Sequence, residues 1–172
     1  MALFPIAEGI RAALPAQARA FDFLEGEWLI RHRRLRARLT GSIEWDEFET
    51  PFVLEPVLGG LGNIDQCQTL PPEPFFEGVS LRFFDLALGK WKIYWVDSAT
   101  GQLCPPVVGG FEGTLGTFRG SDRHEGRPVE VRFLWDKSVP DAPTWQQAFS
   151  ADQGTSWETN WHMAFHRVSA GR

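Results

Sequence analysis

Apolar and polar residues alternate with a period of two through most of the chain, and Gly, Pro, Asn and Asp turn signals interrupt the alternation at intervals. The first such stretch, residues 26–53 (GEWLIRHRRLRARLTGSIEWDEFETPFV), predicts a long β-hairpin. A two-residue turn at Thr40-Gly41 would set Arg36 opposite Trp45, Arg34 opposite Glu47 and His32 opposite Glu49. Side chains at alternate positions share a face, so Trp28, Ile30, His32, Arg34, Glu47 and Glu49 fall together. The other face carries Leu29, Leu35, Ala37, Leu39, Phe48 and Phe52, with Arg31, Arg33, Glu44 and Asp46 among them. Two arrangements satisfy this pattern. Either partnered charges line an interior, or a β-bulge near Arg33 turns Leu35, Ala37 and Leu39 inward and leaves the charges solvated.

Before this hairpin, residues 6–20 place Ile6, Ile10 and Leu14 at helical spacing with Pro15 as a stop, which predicts a short helix suited to plugging one end of a barrel. After it, the Gly run at residues 58–63 reads as a bend leading into a strand over 64–70, and Pro71, Pro72 and Pro74 enforce an extended connection. Residues 77–84 and 90–98 form the next predicted hairpin. A three-residue loop over 87–89 would put Val79, Leu81 and Phe83 on one inward face with Trp91, Ile93 and Trp95, leaving Arg82, Lys92 and Tyr94 outside. A strand is predicted near 111–119 and a polar loop over 121–126. The next strand points Val129, Val131, Phe133 and Trp135 inward.

The last predicted hairpin spans 144–167, and its turn, Ser150 to Trp157, resembles an Asp box. It pairs Phe149 with Trp157, Gln147 with Thr159 and Trp145 with Trp161. About nine or ten strands, short turns and no crossover helix predict an all-β, antiparallel up-and-down barrel. The chain reads as a single domain over 1–172, with a helical segment at 1–20 and the barrel at 26–167.

Composition narrows the partners. Eight Trp and 14 Phe stand against a single Tyr, an apolar aromatic load that can fill a core or wall a pocket for a flat ligand. The net charge is -5, and the one basic stretch, residues 31–38, faces an acidic strand, which argues against nucleic acid. Cys67 and Cys104 lack metal-ligand spacing and read as free thiols. No signal peptide and no apolar run of membrane length is present, so the expected location is the cytoplasm with no membrane association. Tyr94 and Val96 on an outer face are compatible with a homodimer.

Candidate chemistry gathers on the first hairpin. His32 beside Glu49 or Glu47 is the nearest approach to a general acid–base pair, and Arg34 could hold an anionic group. Both could equally be structural ion pairs across two strands. Trp45, Trp91, Trp95, Trp145 and Trp161 either wall a cavity or fill it. Three functions follow: binding of a small apolar or aromatic, anionic molecule with Arg34 at its charge; a proton-transfer enzyme of isomerase or cyclase type in the same cavity, using His32 with Glu47 or Glu49; and a filled barrel that contacts proteins. The four His are spread at 32, 124, 162 and 166, and no mononuclear metal site is expected.

Gly26-Glu27-Trp28, opening the first strand after a short helix, resembles the lipocalin G-x-W signature, and Arg167 stands where that superfamily sets a basic residue against the Trp. With phrases such as FDFLEGEW, PVLGGLGN, IYWVDS and WETNW, the chain resembles a bacterial lipocalin-like (calycin) family. The resemblance implies a barrel with an internal cavity, gives Gly26, Trp28 and Arg167 structural roles, and implies no activity. More distantly the chain resembles the nitrobindins, which bind haem through a His near the C-terminus. The counterparts would be His162 and His166, but alternation sets both on the face opposite Trp161, Met163 and Phe165. No cofactor is therefore expected.

Overall fold

Strand alternation, carried round ten times, closes the sheet on itself. A computed structural model describes residues 8–168, and these contain ten antiparallel strands. They are β1 (Gly26–Leu35), β2 (Trp45–Val57), β3 (Gly62–Gln68), β4 (Glu77–Asp85), β5 (Lys90–Asp97), β6 (Val107–Glu112), β7 (Leu115–His124), β8 (Arg127–Asp136), β9 (Thr144–Ser150) and β10 (Glu158–Arg167). Each pairs with its sequence neighbours, and β1 pairs with β10, so the sheet has no free edge. No helix of the described residues is long and apolar enough to cross a membrane.

The N-terminal segment closes one end. Helix α1 (Glu8–Ala12) and 3-10 turns at Ala16–Arg19 and Asp22–Leu24 replace the single helix expected over 6–20, because Pro15 stops the first; Ile6 lies outside the described residues. The plug itself is Phe21, fully buried, with its ring 5.0 Å from Trp91, 5.2 Å from Phe111 and 5.8 Å from Phe118. Trp91 donates its indole N–H to the Gln17 carbonyl at 2.8 Å, and Lys137 donates to the Ala20 carbonyl at 3.0 Å.

At the same end, the Arg167 guanidinium lies 4.0 Å from the centroid of the buried Trp28 ring. It donates to the carbonyls of Glu25 at 3.1 Å and Phe23 at 3.0 Å and pairs with Asp141 at 2.9 Å. One cation thus ties the last strand, the first strand and the plug together. Gly26 adopts φ +100 where the chain turns into β1, close against this Arg.

Three registers differ from the expected ones. The first hairpin has no two-residue turn: β1 ends at Leu35, β2 begins at Trp45, and residues 36–44 form a loop. The pairing slips by one, to His32 with Phe48, Arg34 with Asp46 and Leu35 with Trp45, and a one-residue slip exchanges the faces of β2. In the second hairpin the loop is one residue longer than expected. Gly78, Ser80, Arg82 and Phe84 turn inward opposite Asp97, Trp95, Ile93 and Trp91, while Val79, Leu81 and Phe83 turn outward. In the last hairpin a bulge between Thr159 and Trp161 brings Trp161 opposite Gln147 and Met163 opposite Trp145. Trp157 is thereby placed outside, with the Arg132 guanidinium 4.4 Å from its ring centroid. The segment expected as one strand near 111–119 and a loop over 121–126 is the β6–β7 hairpin followed by the tight β7–β8 turn. No bulge interrupts β1 at Arg33.

Replacing Arg167 by Ala removes a stacked cation and two charge-assisted hydrogen bonds to backbone carbonyls. The expected loss is about 1–3 kcal/mol, read as a lower urea midpoint at unchanged slope; an unchanged midpoint would show that the clasp contributes nothing.

Candidate functional site

Between the Phe21 plug and the opposite, open end lies a cavity of about 260 Å³. Its wall is aromatic. Trp161 stands at the centre with Trp95 5.7 Å away at 90° and Trp145 5.8 Å away at 79°. Phe133 packs edge-on against Trp145 at 4.9 Å. The Trp95 indole fits only because position 78 is Gly: a Cβ there would come within 2.1 Å of the ring. Ile93, Val107, Val131 and Met163 supply the aliphatic remainder.

The floor is polar and self-neutralising. Asp65 on β3 and Arg82 on β4 form an ion pair, 3% and 4% exposed, and Arg82 also donates to Asn63 Oδ1 at 3.1 Å. The Arg82 guanidinium rests 5.2 Å from the centroid of the Phe21 plug. Burial pushes the Asp65 carboxyl above its usual range, and Arg82 and Ser80 pull it back. Cys67 beside them has its thiol pushed up to about 12, chiefly by burial, so it stays a thiol.

The mouth carries the charge. Arg34, the last inward side chain of β1, and Arg38, on the 36–44 loop, both reach the cavity. Arg36 N–H bonds to the Glu44 carbonyl at 2.9 Å, and Leu39 sits at φ +59 with its N–H bonded to Glu158 Oε1 at 2.7 Å. This fold-back sets the Arg34 and Arg38 guanidinia 5.3 Å and 6.0 Å from the Trp161 ring centroid. The Arg34 guanidinium also lies 4.9 Å from the Phe76 ring, and that of Arg38 5.6 Å from Phe149. Burial lowers the pKa of both; for Arg38 the neighbouring charge of Arg34 adds to the effect. Asp97, across the mouth, accepts from the Trp95 indole at 3.1 Å and caps the following turn through the Ala99 and Thr100 N–H groups.

The predicted acid–base pair does not form. Glu49 and Glu47 lie on the outer face, paired with Arg31 at 2.7 Å and Arg33 at 3.6 Å, because the register slip turned them away from His32. His32 is 2% exposed and occupied on both nitrogens. Trp161 Nε1, which can only donate, bonds to His32 Nδ1 at 3.2 Å, so Nε2 carries the proton and donates to Thr50 Oγ1 at 2.8 Å. Burial, with the Arg34 charge adding to it, pushes the imidazole down to about 3. His32 is a neutral strut that orients Trp161.

Of the tryptophans expected at a wall, Trp95, Trp145 and Trp161 line the cavity. Trp45 is outside, between the Arg33 guanidinium at 4.5 Å and the His162 ring at 5.6 Å; the same register slip moved it. Trp91 faces inward but lies too deep, sealed under the plug. His162 is half-buried on the outer face, and His166 is exposed; neither can reach a group held in the cavity. Among the described residues no three His, Cys, Asp or Glu converge as metal ligands.

Sequence reasoning missed Arg38 and the Asp65–Arg82 pair. Alternation predicts nothing beyond the end of a strand, so Arg38 had no signal. Arg82 had one: on β3 Asn63 lies opposite it and Asp65 diagonal to it on the same face, the partners a buried Arg requires.

No protein-family model and no curated protein matches the chain. Among solved structures, the S-type phycobiliprotein lyase CPES from Guillardia theta superposes with a TM-score of 0.56, over 97% of this chain and 100% of that one, at 12% identity. At that identity the likeness is one of fold, a closed antiparallel barrel of lipocalin-like form.

The His32 imidazole gives a pH test. Its folded pKa lies below the unfolded value, so between about 6.5 and about 3 only the unfolded chain takes up the proton. Stability falls as pH drops through that window, with a slope approaching about 1.4 kcal/mol per pH unit from this group. His32→Gln offers one acceptor and one donor without the titration, so wild type minus variant should lose stability from pH 6.5 downward; parallel pH curves would contradict a buried neutral imidazole.

Proposed function

We propose that the barrel binds a small, largely aromatic or apolar molecule in the cavity, with its polar end at the open mouth. The observation that carries this reading is the wall of Trp95, Trp145 and Trp161 around unfilled volume of about 260 Å³, a size just below the usual range of ligand pockets. Indole faces set at right angles offer both edge and face to a flat ring, and burying such a ring removes apolar area from water on both partners. The phycobiliprotein lyase contributes the architecture alone; the ligand class rests on the wall.

The alternative, a proton-transfer enzyme, loses the support of its proposed pair, since His32 has both nitrogens engaged and Glu47 and Glu49 lie outside. A filled barrel is disfavoured by the unfilled volume itself.

Tryptophans in the wall make the protein its own reporter. Titration with 2-naphthamide or 2-naphthoate should quench tryptophan fluorescence saturably and raise the melting temperature, as ligand linkage requires. Val131→Phe, which puts a ring into the cavity, should abolish the quenching while the chain stays folded by circular dichroism. Absence of saturable quenching and of any melting shift with both probes would overturn the reading.

A further inference from the structure

Of the five arginines on β1 and the loop after it, three are ion-paired among the described residues and two are not. On the outer face Arg31 pairs with Glu49 and Arg33 with Glu47; at the rim Arg36 pairs with Asp46; at the floor Arg82 pairs with Asp65. Arg34 and Arg38 are different. They are more buried than the exposed, ion-paired Arg31, Arg33 and Arg36, yet among the described residues neither forms an ion pair or a side-chain hydrogen bond. Among the described residues their guanidinia lie against aromatic rings, and Arg38 feels the charge of Arg34.

Partly desolvating two like charges costs free energy; Asp97 offsets part of it for both, with Asp46 acting on Arg34 and Glu158 on Arg38, and an anion bound directly to the guanidinia would return more. The neighbouring carboxylates are committed elsewhere: Asp97 to Trp95 and the turn after it, Glu158 to the Leu39 N–H, and Asp46 to Arg36. Among the described residues none of these carboxylates hydrogen-bonds to Arg34 or Arg38, whose N–H donors remain for a group from outside the chain. Two guanidinium forks beside one indole ring at the cavity mouth suit a planar, two-oxygen acceptor. At the far end of the cavity the Asp65–Arg82 pair cancels its own charge, so that end offers no counter-charge to a second anion.

We infer that the ligand is a monocarboxylate with a flat apolar body, its carboxylate held between Arg34 and Arg38 at the mouth and its body inward against the tryptophans. This rests on the reading of the cavity given above. It adds the charge, the number of charged groups and the orientation.

The test compares 2-naphthoate with its neutral isostere 2-naphthamide by tryptophan quenching, in wild type and in Arg34→Gln, Arg38→Gln and the outer-face control Arg31→Gln. Wild type should bind the acid about tenfold or more tightly than the amide, and either mouth variant should erase most of that preference, read as the ratio of acid to amide affinity within each variant. Arg31→Gln should behave as wild type. Naphthalene-2,6-dicarboxylate should bind about tenfold or more weakly than 2-naphthoate, because its second charge has no partner at the floor. Equal binding of acid and amide, or a preference that survives in both mouth variants, would overturn the carboxylate clasp and leave the aromatic cavity standing. Failure of both probes to bind wild type would overturn the clasp and the cavity reading together.

Discussion

Ten antiparallel strands that close on themselves enclose more space than their inward side chains can fill, because barrel diameter grows with strand number. Everything else in this protein follows from how the two ends of that space are managed. One end is stopped with Phe21 and clasped by Arg167 on Trp28, and the rings packed there leave no exposed surface on Trp28, Trp91 or Phe118 beyond 1%. The other end stays open between the 36–44 loop and the turn after β5. The cavity is the volume left between a packed base and an unpacked mouth. Closure also removes every sheet edge, so the barrel offers no strand for another chain to extend.

Charge on this chain has three different meanings, decided by depth. The outer Arg–Glu pairs on β1 and β2 are exposed and worth about 0–1 kcal/mol each. The Asp65–Arg82 pair is buried, so losing one partner would strand the other in a low-dielectric floor, and its presence says more about the shape of the site than about stability. Arg34 and Arg38 are half-buried and, among the described residues, in no ion pair; they lie against aromatic rings, with Asp97 acting on both. His32 belongs with the struts. Its neutral imidazole fixes Trp161, and Trp161 in turn sets the spacing of the other two wall tryptophans and of both guanidinia.

Most strands and their antiparallel order were legible because period-two alternation and turn residues are local signals; the β6–β7 hairpin, read as one strand, was not, and the end expected to be closed by a helix over 6–20 is closed by Phe21 beyond it. The inward set of β8, Val129, Val131, Phe133 and Trp135, is the set that alternation predicts. Registers were less legible, because they depend on loop lengths that no single residue announces. Thr40-Gly41 looks like a tight turn, but the chain leaves the sheet at Leu35 and returns at Trp45, and that difference moved Glu47, Glu49 and Trp45 outside and Phe48 and Phe52 inside. One more residue in the β4–β5 loop did the same to Arg82. Depth was not legible at all: Trp91 and Trp95 alternate identically, yet one is sealed beneath the plug and the other walls the cavity. Arg38 came to the site through a loop reversal with Leu39 in a left-handed conformation, a shape that Leu gives no reason to expect.

The most direct measurement is a crystal structure of the protein with 2-naphthoate. The account predicts the naphthalene ring among Trp95, Trp145 and Trp161, with both carboxylate oxygens within hydrogen-bonding distance of the Arg34 and Arg38 guanidinia. A ligand seated on the outside of the barrel, or one lying in the cavity with its carboxylate directed toward Asp65 and Arg82, would contradict it.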